Sequence, residues 1–597
     1  MMKPTSTVLR GAAASALMLL ASASYAQLSG SVSVEGEYEP LVIDTDRLAT
    51  PPAGFRFELP PANLDYEYSG IVTDFRPGLM TMGATGRQTA WPWQKRRGFI
   101  DFNIGSRLNS HLHAGATIYS DRANTLTADL RFDMSTLFRM HGVSESFTRP
   151  PRKRLYDGKL GLDYTRIAGA DGLLKASASY RAAYFNYYGT TIEKALLPFG
   201  AESIGIPTQT LNQASASVGY SSSTSTLRGW HAEGAVDFLA YRRLYSPVIL
   251  GMESRGDTET SLNVGAGYAF PIGTASAVSI DAKGDFLFYP KRAPEALGID
   301  GVPHRNYGVI TVKPAFRMEK DNFGMNLGLD VIGAYDAQGA APGEKFGAVH
   351  LAPDVSASFT TGKGFGMTLR ATGGVTPATL QLRETFDRYQ LPFLLANTPV
   401  YSPVDATLGF NVGPFAGFAA ELNLRYAVAR NIPVGGWYQA LLDATSLNDF
   451  PATGYGAYNL HGASVNLGLR YDYGTLIGLN FDATYTPQNG KTGIFNGFDR
   501  PRWLLSAHAE ARPIKRLAIE LGYDYRGVRN CYYASGEDVV GYRLPDVTDL
   551  NAKVTFSVLK NLDIYLKGEN LLNRHVDLLP GLQSEGLALL GGVFIIF

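Results

Sequence analysis

The sequence predicts an all-β protein: a transmembrane antiparallel β-barrel of about 22 strands with a short N-terminal periplasmic or lumenal segment. Three observations lead there. Apolar and polar residues alternate over runs of about ten residues, short and long connections alternate between those runs, and the chain stops on an aromatic residue with no polar tail. Composition agrees, with 12% aromatic residues, 33 Tyr, 65 Gly and a mean hydropathy of −0.06. No run approaches the ~18 apolar residues of a spanning helix. Lys plus Arg and Asp plus Glu each count 54, so no overall basic field draws nucleic acid. A single Cys excludes an internal disulfide framework.

The first element is residues 1–26. Lys3 and Arg10 precede an apolar stretch from Gly11 to about Leu20, and Ser24 and Ala26 supply small residues for cleavage. This is the pattern of a secretory signal peptide, and it sends the chain out of the cytoplasm. Residues 27–96 form a Pro-rich segment expected in the periplasm or the lumen. At its end "WPWQKRRG", Trp91 to Gly98, combines Trp with basic residues as an interfacial anchor does.

The barrel is expected over residues 97–597. In "SVNLGLRYDYG" Val465, Leu467, Leu469, Tyr471 and Tyr473 share one face, opposite Asn466, Arg470 and Asp472. Trp230, Ala232, Val236, Phe238 and Ala240 oppose His231, Glu233 and Asp237, and Leu517, Ile519, Leu521 and Tyr523 oppose Glu520 and Asp524. A period of two marks strands, and recurring charge on the second face marks that face as wet. Lipid admits a sheet only when it closes, because an open edge leaves backbone groups without partners.

Connections order the strands. Short links such as "SDRAN", "AGADG", "PIGTA", "RPIKR" and "SVLKN" alternate with long ones at Met134 to Lys153, Gly189 to Pro207, Pro377 to Val400, Asn431 to Gly454, Pro487 to Gly497 and Arg529 to Leu544. Periplasmic turns and extracellular loops differ in this way. "SRLNS" departs from it, being short where a loop is expected. The paired aromatics Tyr187 and Tyr188, Trp437 and Tyr438, and Tyr532 and Tyr533 are read as parts of the interfacial girdles, with sugar or protein recognition as the alternative.

The last strand closes the barrel against the first. Phe597, Ile595, Val593 and Leu589 share its lipid-facing side, with Phe594 and Ile596 turned to the lumen. A terminal Phe after alternating apolar residues resembles the signal by which outer-membrane barrels are recognised for insertion. The strand before it, "LDIYLKGENLLNRH", resembles the penultimate strand of TonB-dependent receptors, through Asn570, Leu571, Leu572, Asn573 and Arg574. Only 27–96 precedes the first strand, too short for that family's complete plug, so the chain resembles plugless relatives of that barrel, known mostly from Bacteroidota.

The resemblance implies a cell outer-membrane protein of a Gram-negative bacterium. It would act as a receptor or transport-type barrel, or as a membrane platform for partner proteins; the alternative is a passive diffusion channel for small polar solutes. Its expected partners are outer-membrane lipids, the outer-membrane assembly machinery, and a lipoprotein or periplasmic protein. No Gly-x-Ser-x-Gly elbow marks a nucleophile. His111 and His113 share a face at i and i+2 but lack an evident third ligand, and are read as solvated lumen residues. No catalytic residue, cofactor or metal is expected.

Overall fold

The structure is a computed structural model that describes residues 98–136, 152–169, 171–186, 208–245, 253–256, 258–291, 306–337, 345–361, 364–386, 388, 398–443, 446–455, 460–487, 501–535, 538–579 and 582–597. The signal peptide, the segment 27–96 and the pair Tyr187 and Tyr188 lie outside the described residues. Among the described residues, 22 strands form one antiparallel sheet that closes on itself. Barrel strands run from 8 to 16 residues, longer than the ~5–6 typical of globular sheets.

The alternation decides which way each residue faces. Trp230, Val236 and Phe238 are exposed on the outer wall, as are Tyr471, Tyr473, Ile519 and Leu521. Their exposure to water would be costly, and a lipid surround removes that cost. Phe323, Phe359, Phe365, Phe415 and Phe418 are exposed at the short-turn end, and Tyr335, Tyr426 and Trp503 at the long-loop end. Two aromatic belts therefore ring the wall where headgroups would meet it.

Closure joins Gly98–Gly105 to Ala588–Ile596, with Phe102 opposite Val593 and Ile100 opposite Ile595. Gly98 and Phe597 exchange two backbone hydrogen bonds of 2.9 Å. Gly98 lacks the Cβ that would meet the Phe597 ring at 2.7 Å, so the ring can lie across the joint. The link between Gly98–Gly105 and Ser110–Ser120 is short, as the sequence has it.

One expectation is corrected. Trp437 and Tyr438 belong to strand Pro433–Asp443, and Tyr532 and Tyr533 to strand Arg529–Ser535. With Ser446–Tyr455 and Asp538–Leu544 these build a four-stranded sheet separate from the barrel wall. The hairpins rise as continuations of the loops and pair with one another, so these aromatics are not girdle residues. Cys531, expected in a loop, stands in the same sheet opposite Tyr542.

Candidate functional site

The lumen wall is polar at mid-height, and its charges neutralise one another both across neighbouring strands and along single strands. Arg425 grips Asp405 with two bonds of 2.7 and 2.5 Å. Lys313 meets Asp330 at 2.7 Å, Lys283 meets Asp285 at 3.0 Å, and Lys567 meets Glu569 at 2.7 Å. His111 and His113 face the same space, but each is tied to a carboxylate: Nδ1 of His111 to Asp133 at 2.5 Å and Nε2 of His113 to Asp129 at 2.6 Å. Phe99 packs edge-on against His113 at 4.8 Å and lies 6.1 Å from Phe594.

Toward the loop end the inner wall changes character. Leu239 and Tyr241 continue the face of Asp237 yet are buried, and Phe185, Leu211, Leu287 and Ile332 join them in one apolar cluster. A water-filled pore would leave these residues wet. Part of the cover is the described stretch 377–386 of the connection between strands Phe365–Thr376 and Val400–Phe415, which carries the helix Leu380–Phe386. Leu380, 3% exposed, is the helix's contribution to the cluster.

Local chemistry explains why a helix forms there. Oγ1 of Thr379 accepts the Leu382 amide at 2.9 Å, the bond of an N-cap. The Leu380 amide donates to Oε2 of Glu259 at 2.7 Å, which also accepts from the Tyr289 hydroxyl at 2.6 Å. The Ala378 amide donates to the Tyr307 hydroxyl at 2.8 Å. Backbone donors freed by entering the lumen are thus satisfied by side chains of the wall, as burial requires.

Four charges then lock the helix down. Arg181 forks onto Asp157 with bonds of 2.8 and 2.6 Å and reaches Glu384 at 3.3 Å. Arg388 meets Asp157 at 2.9 Å and Glu384 at 3.2 Å. Glu384, only 4% exposed, also accepts from the Tyr241 hydroxyl at 3.1 Å. Two acids and two bases share one buried square with no net charge. Removing one member strands the others, at a cost on the order of 3–5 kcal/mol. At the short-turn end, Arg317 bridges Asp281 at 2.8 Å and the Thr226 carbonyl at 3.4 Å, while the Thr226 hydroxyl bonds Glu319.

The residues singled out in the sequence lie at the seam. Asn570 and Asn573 both adopt positive φ, 45° and 50°, which Asn tolerates. The Asn570 side chain bonds the Arg574 and Glu585 carbonyls at 2.7 Å each, and its Oδ1 accepts the Arg574 amide at 3.1 Å. Oδ1 of Asn573 accepts the Leu587 amide at 2.9 Å. Leu571, its amide bonded to the Leu550 carbonyl, and Leu572 lie in the turn and are both exposed. The run therefore shapes the departure from strand Leu562–Glu569 and holds the start of the closing strand. Phe597 and Leu589 are exposed on the outer side, as the alternation requires, with Val593 and Ile595 between them.

Sequence reasoning missed Tyr565 and Glu585. Tyr565 crosses over Gly592, where a Cβ would lie 2.2 Å from its ring, and its hydroxyl donates to Asp101 at 2.6 Å and accepts from Asn103 at 3.1 Å. It rivets three strands across the joint. Glu585 accepts from Lys153 and Asn109 at 2.7 Å and from Ser135 at 3.0 Å, clasping the loop end of the same joint. Burial raises its carboxyl pKa, but the Lys153 charge and the hydrogen bonds from Lys153, Asn109 and Ser135 together outweigh that and hold it down at about 2.

No family model and no curated protein matches the chain. Solved structures match it as folds. A mutant of the ferric enterobactin receptor of Pseudomonas aeruginosa superposes with a TM-score of 0.63 at 11% identity, over 84% of this chain and 80% of that one. The siderophore receptor PirA of Acinetobacter baumannii gives 0.61 at 11% identity over 84% and 80%. The FrpB iron transporter of Neisseria meningitidis gives 0.58 at 11% identity over 85% and 82%. The chain shares the 22-stranded barrel of these proteins.

Proposed function

We infer that the protein is an outer-membrane barrel of the receptor or transport type, held shut at rest by its own loop between Pro377 and Val400. The observation that carries this reading is the charge square of Asp157, Arg181, Glu384 and Arg388, which binds that loop to the inner wall. A structural filler needs only apolar packing. A closed charge network adds a lock that opens and shuts as a unit, because its members gain only when all are present. The likeness in fold to receptors and a transporter supports the same class.

In this reading the chain carries no complete plug, and the inward loop does that work at the loop end. A lipoprotein or periplasmic protein then supplies the trigger that releases it. The polar mid-lumen passes hydrated solutes once the loop moves.

The test is conductance in planar bilayers. The intact protein should conduct poorly, and replacing residues 379–397 by a short Gly-Ser linker should give large, steady conductance. Large conductance in the intact protein would instead favour a passive diffusion channel for small polar solutes. Opening by deletion of residues 29–86 alone would move the closure to the N-terminal segment.

A further inference from the structure

We propose that the lumen selects for cations, so that the solutes it passes are inorganic cations and small organic amines in preference to anions. This names the solute class of the conduit inferred above and rests on that reading.

The ion pairs of the inner wall leave a remainder that is mostly of one sign. Among the described residues, Asp163, Glu233, Asp237, Asp354, Asp524 and Asp563 stand on the lumen face with no Lys, Arg or His at ion-pair distance. Their basic counterparts are Lys159, Lys175 and Arg370. Asp163, Glu233 and Asp524 are exposed, so this charge meets the lumen.

The register adds to the imbalance. Asp524 lies directly opposite Asp549, and Glu510 opposite Glu520, where like charges repel. Lys553 and Lys567 also face one another, but each has a carboxylate, Glu520 at 3.7 Å and Glu569 at 2.7 Å. The chain balances 54 acids against 54 bases, so the acidic lumen is made by the fold, which turns more acids than bases to the inner face.

A low-dielectric wall lined by one sign concentrates the opposite sign beside it, and rings of Asp and Glu give channels a preference for cations. No group of His, Cys, Asp or Glu among the described residues is arranged to hold a metal ion. The preference is therefore a field along the wall and not a coordination site. Its reach is the screening length, ~10 Å at 0.1 M salt and ~30 Å at 0.01 M. Across a 22-stranded barrel it strengthens as salt falls.

The test is thiol labelling of the full chain in detergent. Cys531→Ser clears the native thiol, and Ser506→Cys or Ser215→Cys places one on the inner wall, the first between Asp482 and Asp524 and the second opposite Asp237. Trimethylammonium and sulfonate methanethiosulfonates of similar size are compared, each rate divided by its rate with a free thiol. At ~0.01 M salt the cationic reagent should lead about tenfold at both positions, with the lead shrinking at ~1 M. Asp524→Asn with Asp549→Asn should cut the lead at position 506 and spare that at 215, with heat-modifiability checking the fold. Equal rates, a lead for the sulfonate, or a lead indifferent to salt would overturn the proposal. So would exclusion of both reagents that persists when residues 379–397 are replaced by the linker. Conductance reports closure and the rate ratio reports sign, so the two readings fail separately.

Discussion

Tyr565 shows how a single side chain can hold a joint that strand pairing alone would leave weak. It is 6% exposed, and Asp101 beneath its hydroxyl is 2% exposed. Tyr565→Phe removes the bond and leaves the carboxylate short of a partner, at about 1–3 kcal/mol. The variant should unfold at lower temperature in heat-modifiability gels while keeping its fold. Glu585 carries a pH signature. Its folded pKa lies below the ordinary 4.5, so its contribution is complete above that value and is lost as pH falls from there toward 2. A shift of this size is worth on the order of 3 kcal/mol. The stability gap between wild type and Glu585→Gln should therefore close on acidification through this window, as followed by unfolding in detergent; a gap that is constant with pH would dismiss the clasp.

At the scale of elements, the strands were legible because alternation is a local property. Val465 to Tyr473 declare their faces without reference to any other part of the chain. The inward helix was not legible. Seven residues are too few for a helical period to stand out, and Leu239 and Tyr241 obey the same alternation as Asp237 while saying nothing about what covers them. Thr379 as a cap and Glu384 with Arg388 at i, i+4 were the available signals. The extra sheet was hidden for another reason: its register joins residues 437 and 533, and no local pattern reports a pairing between distant loops. The closing strand yields a prediction of its own. Deleting Phe597 removes two backbone hydrogen bonds to Gly98 and a ring from the outer wall. The folded fraction in outer membranes should fall, with unfolded chain appearing on heat-modifiability gels; normal levels would deny the residue a part in assembly.

For the whole molecule, the alternation of turn and loop lengths orients the barrel. An epitope tag inserted between Asp443 and Ser446 should be reached by antibody on intact cells, and one inserted in residues 512–516 only after permeabilisation. The reverse pattern would invert the orientation. The meeting of Gly98 with Phe597 has a wider meaning. The wall is in effect a ring of 22 staves, and the ends of the described chain merely mark where the ring has been cut. A circular permutant that bridges 597 to 98 and opens between 443 and 446 keeps every stave beside its old neighbours. Such a chain should still form the barrel from the denatured state in detergent. In the cell it should be starved of assembly, because the cut has moved and the aromatic that ended the chain now sits in its middle.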